Sequence, residues 1–226
     1  MTSQSSAEPF EDAPSGGPAV RGFLHRPATP SGDALVLTHG AGSDCRAPLL
    51  VAIASAFAAR GFLVLRSDLP FRRARSSGPP PLSAAAHDRE GLRRAVLAVR
   101  KLAPGRVFLG GHSYGGRQAT ILAAEEPDLA AGLLLLSYPL HPPRRPRELR
   151  TAHFPRLRVR ALFVHGSRDP FGSLDEMRSA LALIPAPTVL VPIEGGTHDL
   201  SRRPRAPAPS VDAGAATLAA FIGLMG

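Results

Sequence analysis

Val107-Phe108-Leu109-Gly110-Gly111-His112-Ser113-Tyr114-Gly115-Gly116 is the stretch on which the reading turns. An apolar run ends in glycines, a serine stands between them, and an Ala-rich helical pattern begins at once. This is G-x-S-x-G at the point where a strand turns sharply into a helix. A serine on so tight a turn takes strained backbone angles and is crowded from both sides. Gly111 and Gly115 remove the β-carbons that would clash there. Ser113 is therefore expected at the carboxyl end of a central strand, over a helix N-terminus whose free N–H groups face developing negative charge. Glycine-flanked serines also occur in ordinary strand-to-helix turns, so the neighbouring segments have to decide.

Outward from this stretch, apolar runs alternate with amphipathic ones. Runs at 34–38, 62–65, 132–137, 159–165 and 188–193 read as strands, and most are continuous, as in a strand buried on both faces. Residues 20–24 read as a short edge strand. Residues 49–59, 84–102, 173–184 and 211–225 carry helical periodicity, with Ser173 as an N-cap. Residues 71–81 read as an exposed loop. This alternation predicts an α/β fold, a mostly parallel central sheet with helices on both faces and no large cap domain. In such a sheet, sites form at the carboxyl ends of the strands, which is where the polar motifs fall.

The chain has 226 residues, enough for one domain with a sizeable core. Residues 1–18 are rich in Ser, Pro and Gly, lack the order of a signal peptide, and read as a flexible lead-in to a domain spanning 19–226. No apolar stretch is long enough to span a bilayer, so no membrane partner is expected. The single cysteine, Cys45, excludes an intrachain disulfide and fits a reducing, cytoplasmic setting. The net charge of +9 is almost entirely arginine. The arginines are spread along the chain without interleaved aromatics, which speaks for composition rather than a nucleic-acid surface. Nothing in the sequence speaks to oligomeric state.

Three residues follow three separate strands in the order Ser113, Asp169, His198. A serine hydroxyl needs a neighbouring base, an imidazole titrates near neutrality, and a carboxylate on its second ring nitrogen fixes the tautomer. Each alone has an ordinary reading: Asp169-Pro170 as a turn, His198 as a loop histidine. Together they suggest a nucleophile, an acid and a base. Among the alternatives, His112 should point away from Ser113, His165 reads as packing, His141 and His153 lie in a variable segment, Asp175 sits inside a helix, and Asp199 adjoins His198 too closely. His39-Gly40-Ala41-Gly42 follows the 34–38 strand. Its Ala41 N–H and the N–H of Tyr114 would form an oxyanion hole, with His39 as a structural residue of the loop. Cys45 has no recognisable base beside it. No cofactor and no metal is expected, for want of a ligand cluster.

These residues carry a resemblance. Leu37-Thr38-His39-Gly40-Ala41-Gly42, Gly110-Gly111-His112-Ser113-Tyr114-Gly115-Gly116-Arg117 and Gly166-Ser167-Arg168-Asp169-Pro170-Phe171-Gly172 resemble α/β-hydrolases of the dienelactone-hydrolase-like type. Tyr138-Pro139-Leu140-His141-Pro142-Pro143 and Leu149-Arg150-Thr151-Ala152-His153 are similar to a narrower predicted-hydrolase family, related to the α/β-hydrolase-like region of a regulatory subunit of the NSL histone acetyltransferase complex. The resemblance covers most of the chain from about residue 20 and implies the α/β-hydrolase fold, a nucleophile at Ser113, an acid at Asp169 and a base at His198. It implies no substrate, and relatives with scaffolding roles keep a catalytically silent interaction module as the alternative to a serine hydrolase of esters, thioesters or lactones. Residues 138–156 follow the strand after Ser113 and are too short for a cap, so they are expected to form a small flap. Arg144, Arg145, Arg147 and Arg150 there would meet an anionic acyl group or form a solvated basic loop.

Overall fold

The computed structural model describes residues 7–13, 15–202 and 211–226. Eight strands form one sheet: β1 (Ala7–Asp12), β2 (Val20–His25), β3 (Ala34–Thr38), β4 (Leu63–Ser67), β5 (Val107–His112), β6 (Leu133–Leu136), β7 (Ala161–Gly166) and β8 (Thr188–Ile193). Their spatial order is β1-β2-β4-β3-β5-β6-β7-β8; β1 and β2 are antiparallel and β3 to β8 run parallel. The helices are α1 (Pro48–Ala58), α2 (Pro70–Ala74), α3 (Ala85–Arg100), α4 (Tyr114–Glu125), α5 (Leu174–Leu181) and α6 (Val211–Met225). No helix among the described residues is long and apolar enough to cross a membrane.

The continuous apolar strands fill both faces because successive side chains point to opposite sides. Ala34, Val36, Leu109, Leu133, Leu135 and Phe163 join a core with α3, α4 and α5 residues such as Leu92, Leu122 and Met177. Leu35, Leu37, Phe108, Leu134, Leu136 and Val164 join a second core against α1 and α6. There Phe221 meets Phe57 and Phe108 edge-on, at 5.1 and 5.0 Å between ring centroids. Parallel register sets Thr38 level with Ser67 and Gly111, and Gly166 level with Ile193. The loops leaving β3, β5, β7 and β8 therefore gather at one end.

Two expectations are corrected. Residues 7–12, read as lead-in, are strand β1, which puts β2 second from the edge. Phe10 packs on the core, Glu11 accepts from Arg21 at 2.6 Å across the pair, and Pro9 is tolerated because β1 is the outermost strand. Residues 1–6 lie outside the described residues. Residues 71–74, read as part of an exposed loop, belong to α2, with Pro70 at its first turn and Phe71 and Arg72 buried. The 138–156 segment, expected as a small flap, is anchored. Tyr138, Leu140 and Phe154 are buried, and the Tyr138 hydroxyl donates to the Arg150 carbonyl at 2.6 Å. Its middle, including Arg144, Arg145 and Arg147, is exposed. Residues 201–209, basic and Pro-rich and expected as a loop, lie mostly outside the described residues.

Candidate active site

β5 ends at His112 and α4 begins at Tyr114, so one residue makes the turn. Ser113 has φ 50° and ψ −115°, a conformation L-residues avoid. Holding it costs about 1–3 kcal/mol. The surroundings impose it: the Ser113 N–H donates to the Leu136 carbonyl at 2.9 Å while the Arg117 N–H already bonds the Ser113 carbonyl. A β-carbon on Gly115 would lie 2.5 Å from the His39 carbonyl oxygen, and one on Gly111 would lie 2.9 Å from the Gly115 backbone. The glycines flanking the serine are thus needed for close approach of backbone to backbone.

Two 2.8 Å contacts connect three side chains: Ser113 Oγ to His198 Nε2, and His198 Nδ1 to Asp169 Oδ2. The turn after β7 supplies Asp169, whose side chain has no solvent exposure, and the turn after β8 supplies His198. An ionised carboxylate only accepts, so Nδ1 carries the proton and Nε2 is left to accept from the serine hydroxyl. The Phe171 N–H donates to Asp169 Oδ1 at 2.9 Å, and the Phe171 ring lies over the imidazole at 4.3 Å between centroids. The two turns are packed tightly, with the Arg168 N–H bonded to the Gly196 carbonyl at 2.8 Å.

His112 points away from the serine hydroxyl and donates from Nε2 to the His198 carbonyl at 2.8 Å. Burial and the neighbouring His198 push it down to about 4, so it stays neutral. His165 is fully buried and bonds the Gly172 carbonyl at 2.8 Å; burial lowers its pKa. His153 bonds Thr120 Oγ1, and burial followed by the charge of Arg117 brings it to about 4. His141 bonds the Pro142 carbonyl. Asp175 is exposed and pairs with Arg178, and Asp199 is held by the Ser201 and Thr197 hydroxyls. None of these touches Ser113.

The loop after β3 lies against the serine: a β-carbon on Gly40 would sit 2.9 Å from His112 Nδ1 and 3.4 Å from Ser113 Cβ. His39 is fully buried. Its Nδ1 donates to the Gly40 carbonyl at 2.8 Å and its Nε2 accepts the Leu69 N–H at 3.0 Å. Burial keeps this imidazole neutral by lowering its pKa, and only the neutral Nδ1–H tautomer satisfies both partners. Tyr114 N–H is the first amide of α4, one of those a helix leaves without an intrahelical carbonyl. Ala41 and Gly42 follow Gly40 in this loop. Cys45 is buried, and burial with Asp68 beside it pushes the thiol up to about 12, an unreactive state. Among the described residues no three His, Cys, Asp or Glu side chains converge as a metal-ligand set.

Sequence reasoning passed over Arg72 and Asp88. Asp88 is fully buried; it accepts the Phe71 N–H at 2.9 Å and the Tyr114 hydroxyl at 2.7 Å, and burial raises its pKa. Its signal was its place on the apolar face of α3, one turn before Leu92 and two before Val96. Arg72 carried no such signal, being one arginine of an arginine-rich stretch.

Residues 31–222 match the family model of an alpha/beta hydrolase domain. A dienelactone hydrolase from Anabaena variabilis superposes with a TM-score of 0.75 at 20% identity, over 95% of this chain and 96% of that one. A serine hydrolase without lid from Xanthomonas campestris gives 0.71 at 17% identity, over 99% and 96%. An alpha-beta serine hydrolase homologue from Coxiella burnetii gives 0.68 at 17% identity, over 85% and 89%. At these identities the likeness is one of fold.

Proposed function

The chain belongs to the alpha/beta hydrolase domain family, and from that premise we propose that it is a serine hydrolase of carboxylic esters, thioesters or lactones. The observation that carries the reading is the unbroken chain Ser113 Oγ–His198–Asp169, with both links at 2.8 Å. Ser113 Oγ attacks the acyl carbon as its proton passes to His198 Nε2. The oxyanion that forms accepts from the N–H groups of Tyr114 and Ala41. His198 then gives the proton to the leaving alcohol or thiol, and the acyl group stays on Ser113. Water attacks in turn, with His198 again taking the proton, and the acid leaves. Asp169 holds the tautomer and stabilises the imidazolium in both halves.

The partner in this reading is a small acyl compound, with no membrane or nucleic acid, acting in the cytoplasm. Its narrower placement is with the predicted hydrolases related to the NSL-complex subunit, on the Tyr138–Pro143 and Leu149–His153 stretches. Labelling with a fluorophosphonate, read by mass spectrometry of the peptide, tests the proposal. Wild type should label at Ser113, and Ser113→Ala and His198→Ala should lose the label. Ester hydrolysis should fall by about a thousandfold or more in either variant. Folded wild type that takes no label would return the protein to the reading of a silent interaction module.

A further inference from the structure

Resting on the serine-hydrolase reading, we propose that Arg72, on the short helix α2, is a positioning residue that aims the Ala41 N–H at the developing oxyanion. The loop that carries this donor is weakly braced by itself. Ala41 lies between Gly40 and Gly42, and a β-carbon placed on Gly42 would meet nothing within 4 Å. Glycines on both sides leave the backbone free to turn. An amide aimed at a transition state must nonetheless be fixed beforehand.

Because a peptide unit is planar and trans, the direction of its C=O fixes the N–H on the other side of the bond. The Gly40 carbonyl, which shares a plane with the Ala41 N–H, is held by His39 Nδ1 at 2.8 Å and by the Ser43 N–H at 3.3 Å. The next plane, carrying the Ala41 carbonyl, is held by Arg72 Nη2 at 2.6 Å. With both planes pinned, Ala41 has no free torsion and its N–H cannot swing away. Arg72 also donates from Nε to the Ser43 carbonyl at 2.9 Å, from Nη1 to Arg75 and from Nη2 to Gly78, at 3.2 and 3.0 Å. All four acceptors are main-chain carbonyls, so one rigid guanidinium fork ties residues 41–43 to residues 75–78. Arg72 is almost fully buried at 8% exposure, with its guanidinium over the Phe71 ring, which strengthens the bonds it makes. Leu69, just before α2, and Phe71 within it complete a bracket: the Leu69 N–H holds His39, and the Phe71 N–H shares Asp88 with the Tyr114 hydroxyl. The helix thus touches the elements behind both proposed oxyanion donors.

The test needs no natural substrate. A fluorophosphonate reacts with Ser113 through an anionic phosphorus centre: the Oγ–P bond forms, the P–F bond breaks, and the serine proton leaves with fluoride by way of His198. The maximal labelling rate and the reagent's half-saturation would be measured for wild type, Arg72→Met, Arg72→Lys and the neighbouring Arg73→Met, with thermal midpoints for each. Arg72→Met should lower the maximal rate about ten- to a hundredfold, with half-saturation within about threefold of wild type. Arg72→Lys, which keeps the charge without the fork, should fall between, and it is expected to fold with a thermal midpoint between those of Arg72→Met and wild type. Arg73→Met, which loses only an exposed contact to the Ala19 carbonyl, should label as wild type does. Labelling of Arg72→Met and Arg72→Lys at the wild-type rate would overturn the proposal; if the Met variant does not fold, the Lys variant decides. Wild type that does not label at all would instead overturn the hydrolase reading beneath it.

Discussion

Ser113 stands between two regions that are put together in different ways. On one side β5, the serine turn, α4 and the turns after β7 and β8 meet through backbone shape: a positive φ, missing β-carbons and turns packed carbonyl to amide. On the other side α2 and Asp88 reach the loop after β3 and the side chain of Tyr114 through polar side chains. Each of those bonds spans many residues, Arg72 to Ala41 and Phe71 to Asp88 among them. Around Gly111 and Gly115 the first region has no room for an added atom. The second depends on particular polar atoms staying where they are. The two should therefore fail differently, one through crowding and the other through unpaired groups.

Crowding should give the larger effect. Gly115→Ala places a β-carbon 2.5 Å from both the His39 carbonyl oxygen and Thr38 Cγ2, and the nearest of these is backbone. Urea unfolding should show a loss of about 3 kcal/mol, at the upper end for overpacking, together with loss of Ser113 labelling. A variant as stable as wild type would mean that the turn has slack and that the contrast between the regions is wrong.

Unpairing should cost less. Tyr114→Phe removes the hydroxyl that donates to Asp88 Oδ2 and leaves the Tyr114 backbone amide in place. A buried acceptor that loses one of its two donors should destabilise by about 1–2 kcal/mol. Labelling at Ser113 should slow only a fewfold, because the amide, not the ring, is the proposed donor. If labelling vanished while stability held, the ring itself would act at the site, and the distinction between shaping and bracing would break down.

The same contrast explains what the sequence made legible. Ser113, Asp169 and His198 each stand just past an apolar strand, and strand ends in a parallel sheet converge, so their meeting follows from periodicity and order. Gly40 and the glycines around Ser113 announce close approach by composition alone. β1 was hidden because its alternation is only six residues long, contains Pro9 and sits in a Ser/Pro/Gly-rich context. α2 was hidden because it spans five residues and is held by Asp88, a partner no local pattern indicates. The anchoring of residues 138–156 depends on Tyr138 and Phe154 reaching the core under a Pro- and Arg-rich surface. Local pattern thus reveals what local geometry builds, and it misses what long-range side-chain-to-backbone bonds build.

Acid should separate the regions by the most selective effect. His25 lies on the far side, in β2, where burial and then the charge of Arg66 push it down to about 4; its Nε2 accepts from Arg66 Nε at 2.8 Å. His112 lies at the serine turn and is also held at about 4. In the unfolded chain each titrates near 6.5. Between pH 6.5 and 4 the unfolded chain therefore binds protons that the folded chain refuses. The sign follows: the stability from each neutral histidine is complete above pH 6.5 and is lost as the pH falls toward 4. For His25 the slope is at most about 1.4 kcal/mol per pH unit. His25→Gln keeps an acceptor for Arg66 without titrating, so unfolding free energy measured across this window should lose up to one proton of slope while labelling at Ser113 is unchanged. His112→Gln should also flatten the slope, and in addition slow labelling, because its Nε2–H fixes the carbonyl of His198. Equal labelling in the two variants would show that the histidine behind the serine turn is only part of the core, and that the crowded region needs no hydrogen bond to hold its base.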